Sequence, residues 1–252
     1  MSGKRLNIVG IIPARMGSSR FPGKPLEKIL NIPMVGHVYF RSKMSESLSE
    51  VCIATCDKEI GQYADSIGAK WVMTKDSHER ASDRAAEAME KIEEQTGQRV
   101  DVVVMIQGDE PMVMPEMIDM AVKPMVEDSN IGSVNLMAPI KSVEEQHDRN
   151  CIKVVVDENN FATRFSREPL SMFKQVCIMP FTREFLLKFN ELKPTPLEIA
   201  ESIDMNRFLE HGYKVKMVLE NFQTQAVDTP EDIRKVLNLM ADDSLLKNYA
   251  RN

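Results

Sequence analysis

The sequence contains no Cys-x-x-Cys pair, and no further His or Cys cluster completes a zinc site around Cys52 and Cys56. It contains no apolar run approaching the roughly 20 residues that span a bilayer, and no secretory leader precedes the first apolar segment. The expectation is therefore four reduced thiols (Cys52, Cys56, Cys151 and Cys177) in a cytoplasmic protein with no membrane partner. Positive charge is not in excess. The 32 basic and 38 acidic residues leave a net charge of −6, which argues against nucleic acid as a partner. Two familiar phosphate-binding signatures are absent: the Walker loop and the Rossmann G-x-G-x-x-G. There is no internal repeat and no low-complexity linker.

What remains is an ordinary globular composition, 43% hydrophobic and 28% charged over 252 residues. That fits one large domain, or one domain carrying a subdomain, with enough chain to bury a core. The 18 methionines are read as fillers of irregular core gaps.

Against this acidic background one basic stretch stands out, Ile11 to Leu26. It begins in an apolar run (Ile8, Val9, Ile11, Ile12) with the character of a buried strand. It then opens into a loop holding Gly17 and Gly23, Pro13 and Pro22, and the hydroxyls of Ser18 and Ser19. Small residues allow backbone N–H groups to approach an anion, and Arg15, Arg20 and Lys24 supply neutralising charge. The competing account is a basic surface loop.

Strand and helix patterns alternate from there. Strands are expected at 7–13, 51–55, 70–73 and 101–106. Helices are expected at 34–44, 58–67 (closed by Gly68), after Ser77 or Ser82, and at 115–126. The segment 101–106, continuously apolar in its middle, has the character of a central parallel strand. Such β-α units imply a doubly wound α/β sheet, with ligands at the C-terminal strand ends. From Gly132 the pattern changes. Segments 151–156 and 161–166 alternate in polarity around a DENN turn, as an antiparallel hairpin does. Further helices are expected at 182–189, 195–212 and 229–240, the tail from Asp242 continuing the last of them, with a strand at 214–219. The stretch 132–190 is read as an antiparallel insertion, and a dimerisation subdomain, within a single domain spanning 1–252.

Two acidic clusters join the basic loop as candidate sites. Gln107-Gly108-Asp109-Glu110-Pro111 follows the central strand, where an Asp can hold a hard divalent cation and a Gly lets the backbone pass close to a ligand. Equally, Gly-Asp-Glu-Pro is good turn chemistry. Asp228-Thr229-Pro230-Glu231-Asp232 is first of all a helix N-cap with acids in its first turn. Only a pairing with Asp109 would make Asp228 functional, the two carboxylates sharing Mg²⁺. Together the three stretches suggest a nucleotide-dependent transferase.

PARMGSSRFPGKPL, PMVGHV, QGDEP, IKVVVD, FSR, PLEIAE and VDTPEDI, in that order from about Ile8 to Leu239, resemble the 3-deoxy-manno-octulosonate cytidylyltransferases. The resemblance implies a GT-A-like α/β nucleotidyltransferase, usually a homodimer, that joins CTP to a 2-keto sugar acid and releases pyrophosphate. It implies triphosphate contacts from Arg15 and Lys24, supported by Arg20, Gly17 and Ser18, and Mg²⁺ held by Asp109 and Asp228. It implies Arg84 near the cytosine, and Gln107 on the nucleotide and the acceptor. It places Arg167, Gln175 and Glu201 around the acceptor. The anomeric hydroxyl would be the nucleophile.

The sequence also departs from that family. His78-Glu79-Arg80-Ala81-Ser82 replaces H-x-S-G-T, with bulk at Arg80. Lys174 to Phe181 reads KQVCIMPF where RHIGIYAY is usual, so Gln175 stands for a histidine and Met179 and Phe181 for tyrosines. Met205 stands where a glutamine is usual. These changes either alter acceptor choice or repack a core strand. A cytidylyltransferase for another small acid, such as a phosphonate, and a non-catalytic nucleotide-binding homologue are the competing readings.

Overall fold

A computed structural model describes residues 6–17 and 20–250. The chain opens with β1 (Ile8–Ala14), every residue of which is buried. A single 3₁₀ turn (Lys24–Leu26) leads into a two-strand ribbon, β2 (Lys28–Ile29) and β3 (Ile32–Pro33). Then come α1 (Met34–Ser42), β4 (Glu50–Thr55), α2 (Lys58–Ser66), β5 (Lys70–Met73), α3 (Ala81–Thr96), β6 (Val102–Ile106) and α4 (Pro115–Glu127). The second half holds β7 (Val134–Pro139), α5 (Val143–His147), β8 (Lys153–Val156), β9 (Ala162–Ser166), β10 (Phe173–Val176), β11 (Ile178–Thr182), α6 (Arg183–Glu191), α7 (Pro196–Glu201), α8 (Met205–Glu210), β12 (Lys216–Leu219), α9 (Pro230–Met240) and α10 (Leu246–Tyr249).

The first sheet has the order β11-β6-β1-β4-β5. β6, β1, β4 and β5 are parallel, and β11 closes the edge antiparallel to β6. This is the α/β, doubly wound arrangement expected from the sequence. The winding reverses between β1 and β6, and the crevice beyond their C-terminal ends is where such sheets place ligands. β1 alternates between two cores. Val9 and Ile11 face α3, and Ile8 and Ile12 face α1 and α4. Few of the residues are aromatic, but several gather where Phe208 packs on Phe185 at 4.3 Å and on Phe189 at 4.8 Å, fixing α8 against α6.

The second sheet has the order β12-β7-β10-β8-β9. The expected hairpin is present: β8 and β9 pair antiparallel. The sheet is not confined to 132–190, however. It recruits β12, which lies parallel to β7, and it gives up β11 to the first sheet. The run from Phe173 to Thr182 is thus two strands rather than one, and the chain changes sheets at Cys177.

Three local expectations need correction. Neither Ser77 nor Ser82 caps α3; Arg80 is the N-cap residue and Ser82 lies inside the first turn. Segment 195–212 is two helices, because Ser202 adopts left-handed backbone (φ +54) between α7 and α8. The tail beyond Asp242 does not prolong α9; it forms the separate α10, whose Tyr249 hydroxyl contacts His37 and Arg41 on α1. Among the described residues no helix is long and apolar enough to cross a membrane.

Candidate active site

The crevice at the β1–β6 switch opens into a cavity of about 730 Å³. Its walls come from the loops after β1 and β6, the β10–β11 junction, the α5 region and the segment leading into α9. Gly108 makes the crossing after β6 possible. A Cβ at that position would sit 2.9 Å from the Pro13 carbonyl oxygen, inside van der Waals contact with β1. Only glycine lets the loop pass so close and bring Asp109 to the cavity.

Asp109 and Asp228 both face this cavity. The Asp109 carbonyl oxygen accepts a 2.9 Å bond from Val227 N, which ties the loop after β6 to the segment leading into α9. Asp228 is not the cap of α9. The Asp232 carboxylate accepts from the backbone N–H groups of Asp228 and Thr229, forming a capping box with Thr229. The Asp228 carboxylate is left for other work. Burial, then the neighbouring charge of Asp109, holds it above the usual carboxylate range.

Each aspartate is gripped by a cation from the loop after β1. Lys24 Nζ lies 2.7 Å from Asp109 Oδ2 and donates to Val227 O at 2.8 Å. Arg20 lies 2.8 Å from Asp228 Oδ1 and donates to Asn150 Oδ1 at 2.6 Å, joining the loop to the α5 side of the cavity. The other loop residues stand differently. Arg15 and Gly17 are exposed and do not line the cavity, and Ser18 lies outside the described residues. Among the described residues no group of three or more His, Cys, Asp or Glu side chains gathers as a metal site.

Gln107, Arg167 and Gln175 also line the cavity. Glu201 stands behind it. Its carboxylate accepts from Ser166 Oγ and from Arg167 N, at 2.7 and 2.8 Å, and its carbonyl accepts from Arg167 Nε at 2.7 Å. Glu201 therefore orients Arg167 and is not itself in the lining. Arg84 is buried on α3, bonded to Thr74 and Lys75, and does not line the cavity. Its second terminal nitrogen is buried without a hydrogen-bond partner among the described residues. The same guanidinium lies beside the Cys56 thiol.

The departures noted in the sequence sort cleanly. Met179, Phe181 and Met205 are buried in the core. Their replacement of polar residues is core packing rather than cavity lining. Lys174, Gln175 and Cys177 do line the cavity. Arg80 puts no bulk into it, because it turns towards α7 and α8 and donates to Ser202 Oγ at 3.0 Å, close to Glu198 and Asp204.

Three further residues matter here that sequence reasoning missed. Glu110 is buried, and burial, with Asp109 adding to it, pushes its carboxyl up to about 8. Lys153 is buried and donates to the carbonyls of Asp148, Cys151 and Arg167, which pins the cavity rim to the Arg167 strand. Asn135 is wholly buried beneath Gln175. For Lys153 and Asn135 the only sequence signal is a charged or amide residue inside an otherwise apolar strand; Glu110 lies in the turn after β6 and was read only as part of the QGDEP cluster.

A parallel sheet with a switch-point crevice, two carboxylates and a basic loop defines a nucleotidyltransferase-type α/β protein. Comparison with known proteins narrows this. The cytidylyltransferase family model matches residues 9–233. A 3-deoxy-manno-octulosonate cytidylyltransferase of Geobacter metallireducens is 38% identical, over 94% of this chain and 98% of its own. The mitochondrial enzyme of that name from Arabidopsis thaliana is 37% identical, over 96% of this chain and 86% of its own. A solved structure of CMP:2-keto-3-deoxy-manno-octonic acid synthetase complexed with CTP superposes with a TM-score of 0.86. It has 34% identity and covers 93% of this chain and 98% of that one. The chain belongs to the 3-deoxy-manno-octulosonate cytidylyltransferase family.

Proposed function

We propose that this chain transfers CMP from CTP to the anomeric hydroxyl of 3-deoxy-manno-octulosonate or a closely similar 2-keto sugar acid, releasing pyrophosphate, with Mg²⁺ as the metal. The observation that carries this reading is the pair Asp109 and Asp228. They reach one cavity from separate segments, the loop after β6 and the residues leading into α9, each held by a cation from the same loop. A module that only bound nucleotide would have no use for two crowded carboxylates. The cavity volume of about 730 Å³ is in the range that holds whole small-molecule ligands, and generous for a small phosphonate.

The donor set suits the metal. The carboxylates of Asp109 and Asp228 would hold a hard divalent cation through oxygen, the ligand type such a cation prefers. Mg²⁺ bound there supplies charge neutralisation across the phosphates. The chain's own residues do the rest. Lys24 and Arg20, on the aspartates in the free protein, are the cations for the triphosphate; the family resemblance adds Arg15, Gly17 and Ser18 of the same loop. Arg84, with its unpartnered nitrogen, is assigned to the cytosine side. Gln107 sits between nucleotide and acceptor, and Arg167, steadied by Glu201, takes the acceptor carboxylate. The anomeric oxygen attacks the α-phosphorus. The new P–O bond replaces the bond to pyrophosphate, and the hydroxyl proton is lost to solvent. No protein nucleophile is required, and in-line positioning plus charge neutralisation accounts for catalysis.

The 1–252 chain is taken as one nucleotidyltransferase domain acting as a cytoplasmic homodimer, assembled through the second sheet. The test is product identity. CTP, Mg²⁺ and 3-deoxy-manno-octulosonate should yield a CMP-linked sugar by mass spectrometry, and chelation should stop its formation. A product that forms with phosphonates but with no sugar acid would overturn the reading.

A further inference from the structure

We propose that Asn135 fixes the polarity of Gln175, so that the acceptor side of the cavity presents a carbonyl oxygen and selects a substrate with a hydrogen-bond donor, a hydroxyl or ammonium, at that point. This rests on the acceptor reading above and deepens it. The reasoning starts at Cys177, where the chain leaves the second sheet for the first. Buried carbonyls beside such a junction need partners. The Asn135 amide supplies them. Its Nδ2 lies 2.6 Å from Val176 O and 3.4 Å from Ile178 O, on either side of the junction, and 3.1 Å from Leu136 O.

Three carbonyl oxygens can only accept, so the nitrogen of Asn135 must face them. The reversed amide would set oxygen against oxygen. Its Oδ1 is then obliged to face Gln175, which lies 2.5 Å away. An acceptor oxygen requires a donor, so the group of Gln175 at that contact is Nε2, which also reaches Met179 Sδ at 3.7 Å. The remaining polar atom of Gln175, Oε1, has no partner among the described residues, and Gln175 lines the cavity. A glutamine free to rotate would offer either end to a ligand. This one offers only an acceptor, and a buried asparagine holds it there. A carboxylate is thereby disfavoured at this position, which leaves Arg167 to take the sugar acid's own.

The experiment compares 3-deoxy-manno-octulosonate with analogues lacking one hydroxyl at a time, among those used neither in the ring nor in the transfer. The wild-type chain and Gln175→Met are both assayed for kcat/KM with CTP and Mg²⁺. At one position the wild type should lose roughly tenfold or more on deoxygenation, the value of one net hydrogen bond. In Gln175→Met the loss at that same position should shrink to about twofold or less, with KM for CTP unchanged. Asn135→Ser, which frees the glutamine amide to rotate, should relax the same discrimination while retaining turnover. Equal losses in wild type and Gln175→Met at every position would overturn the inference and leave the assigned activity standing. A wild-type protein that transfers CMP to no sugar acid would overturn the acceptor reading itself, and the inference with it.

Discussion

Replacing Asp109 with asparagine should nearly abolish turnover while leaving the fold intact. The backbone role of residue 109, its carbonyl accepting from Val227 N at 2.9 Å, survives the change. Lys24 keeps its 2.8 Å bond to Val227 O. What is lost is a partly buried ion pair with a 2.7 Å contact, with the lysine side chain 12% and the aspartate 30% exposed. A pair of that kind contributes about 1 kcal/mol at most. The loss is partly offset because Asp109 crowds both Asp228 and Glu110 with like charge. For a chain of this size the net change in Tm should stay within about 4 °C. Turnover is a different matter. Removing one preorganised charged group from a phosphoryl-type transition state costs about 10²–10³ in kcat, or roughly 3–4 kcal/mol. The assay is pyrophosphate release with CTP, Mg²⁺ and 3-deoxy-manno-octulosonate, run with a thermal melt on the same preparation. Activity within about threefold of wild type, with an unchanged melt, would refute the placement of the metal at Asp109.

Three other outcomes are expected. Glu110→Gln should gain stability over wild type as pH rises in metal-free protein. The buried carboxyl holds its proton to about pH 8 against an ordinary 4.5, so wild-type stability falls across that window and levels off above it. At about 1.4 kcal/mol for each pH unit, melts at pH 5 and pH 8.5 should separate the two proteins, and parallel curves would contradict this. Gly108→Ala should destabilise by about 1–3 kcal/mol and lower kcat as well, because its methyl group meets the Pro13 carbonyl at 2.9 Å and displaces Asp109; a variant matching wild type in denaturant and in rate would remove that close approach from the account. Arg80→Ala should cost about 1 kcal/mol in a thermal melt, since Ser202 loses a donor and the half-buried Asp204 loses a neighbouring cation, and an unchanged melt would show that the α3–α7 contact is dispensable.

The sequence carried the first sheet well because its strands are continuous apolar runs followed by helices of regular period. β1, β4, β5 and β6 lie within a residue of where the pattern puts them. The change of sheet at Cys177 was invisible, since FKQVCIMPFT reads as one strand. The amide that serves the junction carbonyls belongs to Asn135, 42 residues upstream of Cys177, where no local pattern could show it. The break at Ser202 was hidden for a related reason. Left-handed backbone is expected at glycine, and nothing local marks a serine for it. Local signals nominated Asp109 and Asp228 while leaving a turn as an equal account of the first and a helix cap as the stronger account of the second. Only their long-range pairing with Lys24 and Arg20, and the use of Asp232 and Thr229 as the capping box, separates these. The family resemblance supplied Arg84 and Glu201, which the structure sets behind the cavity wall.

The most direct test of cytidylyl transfer is the initial rate of pyrophosphate release from CTP and Mg²⁺ measured with and without 3-deoxy-manno-octulosonate. Release that depends on the sugar acid, on CTP over the other nucleoside triphosphates and on the metal is the predicted result. Release at the same rate without any acceptor, or none at all while CTP still binds, would contradict it.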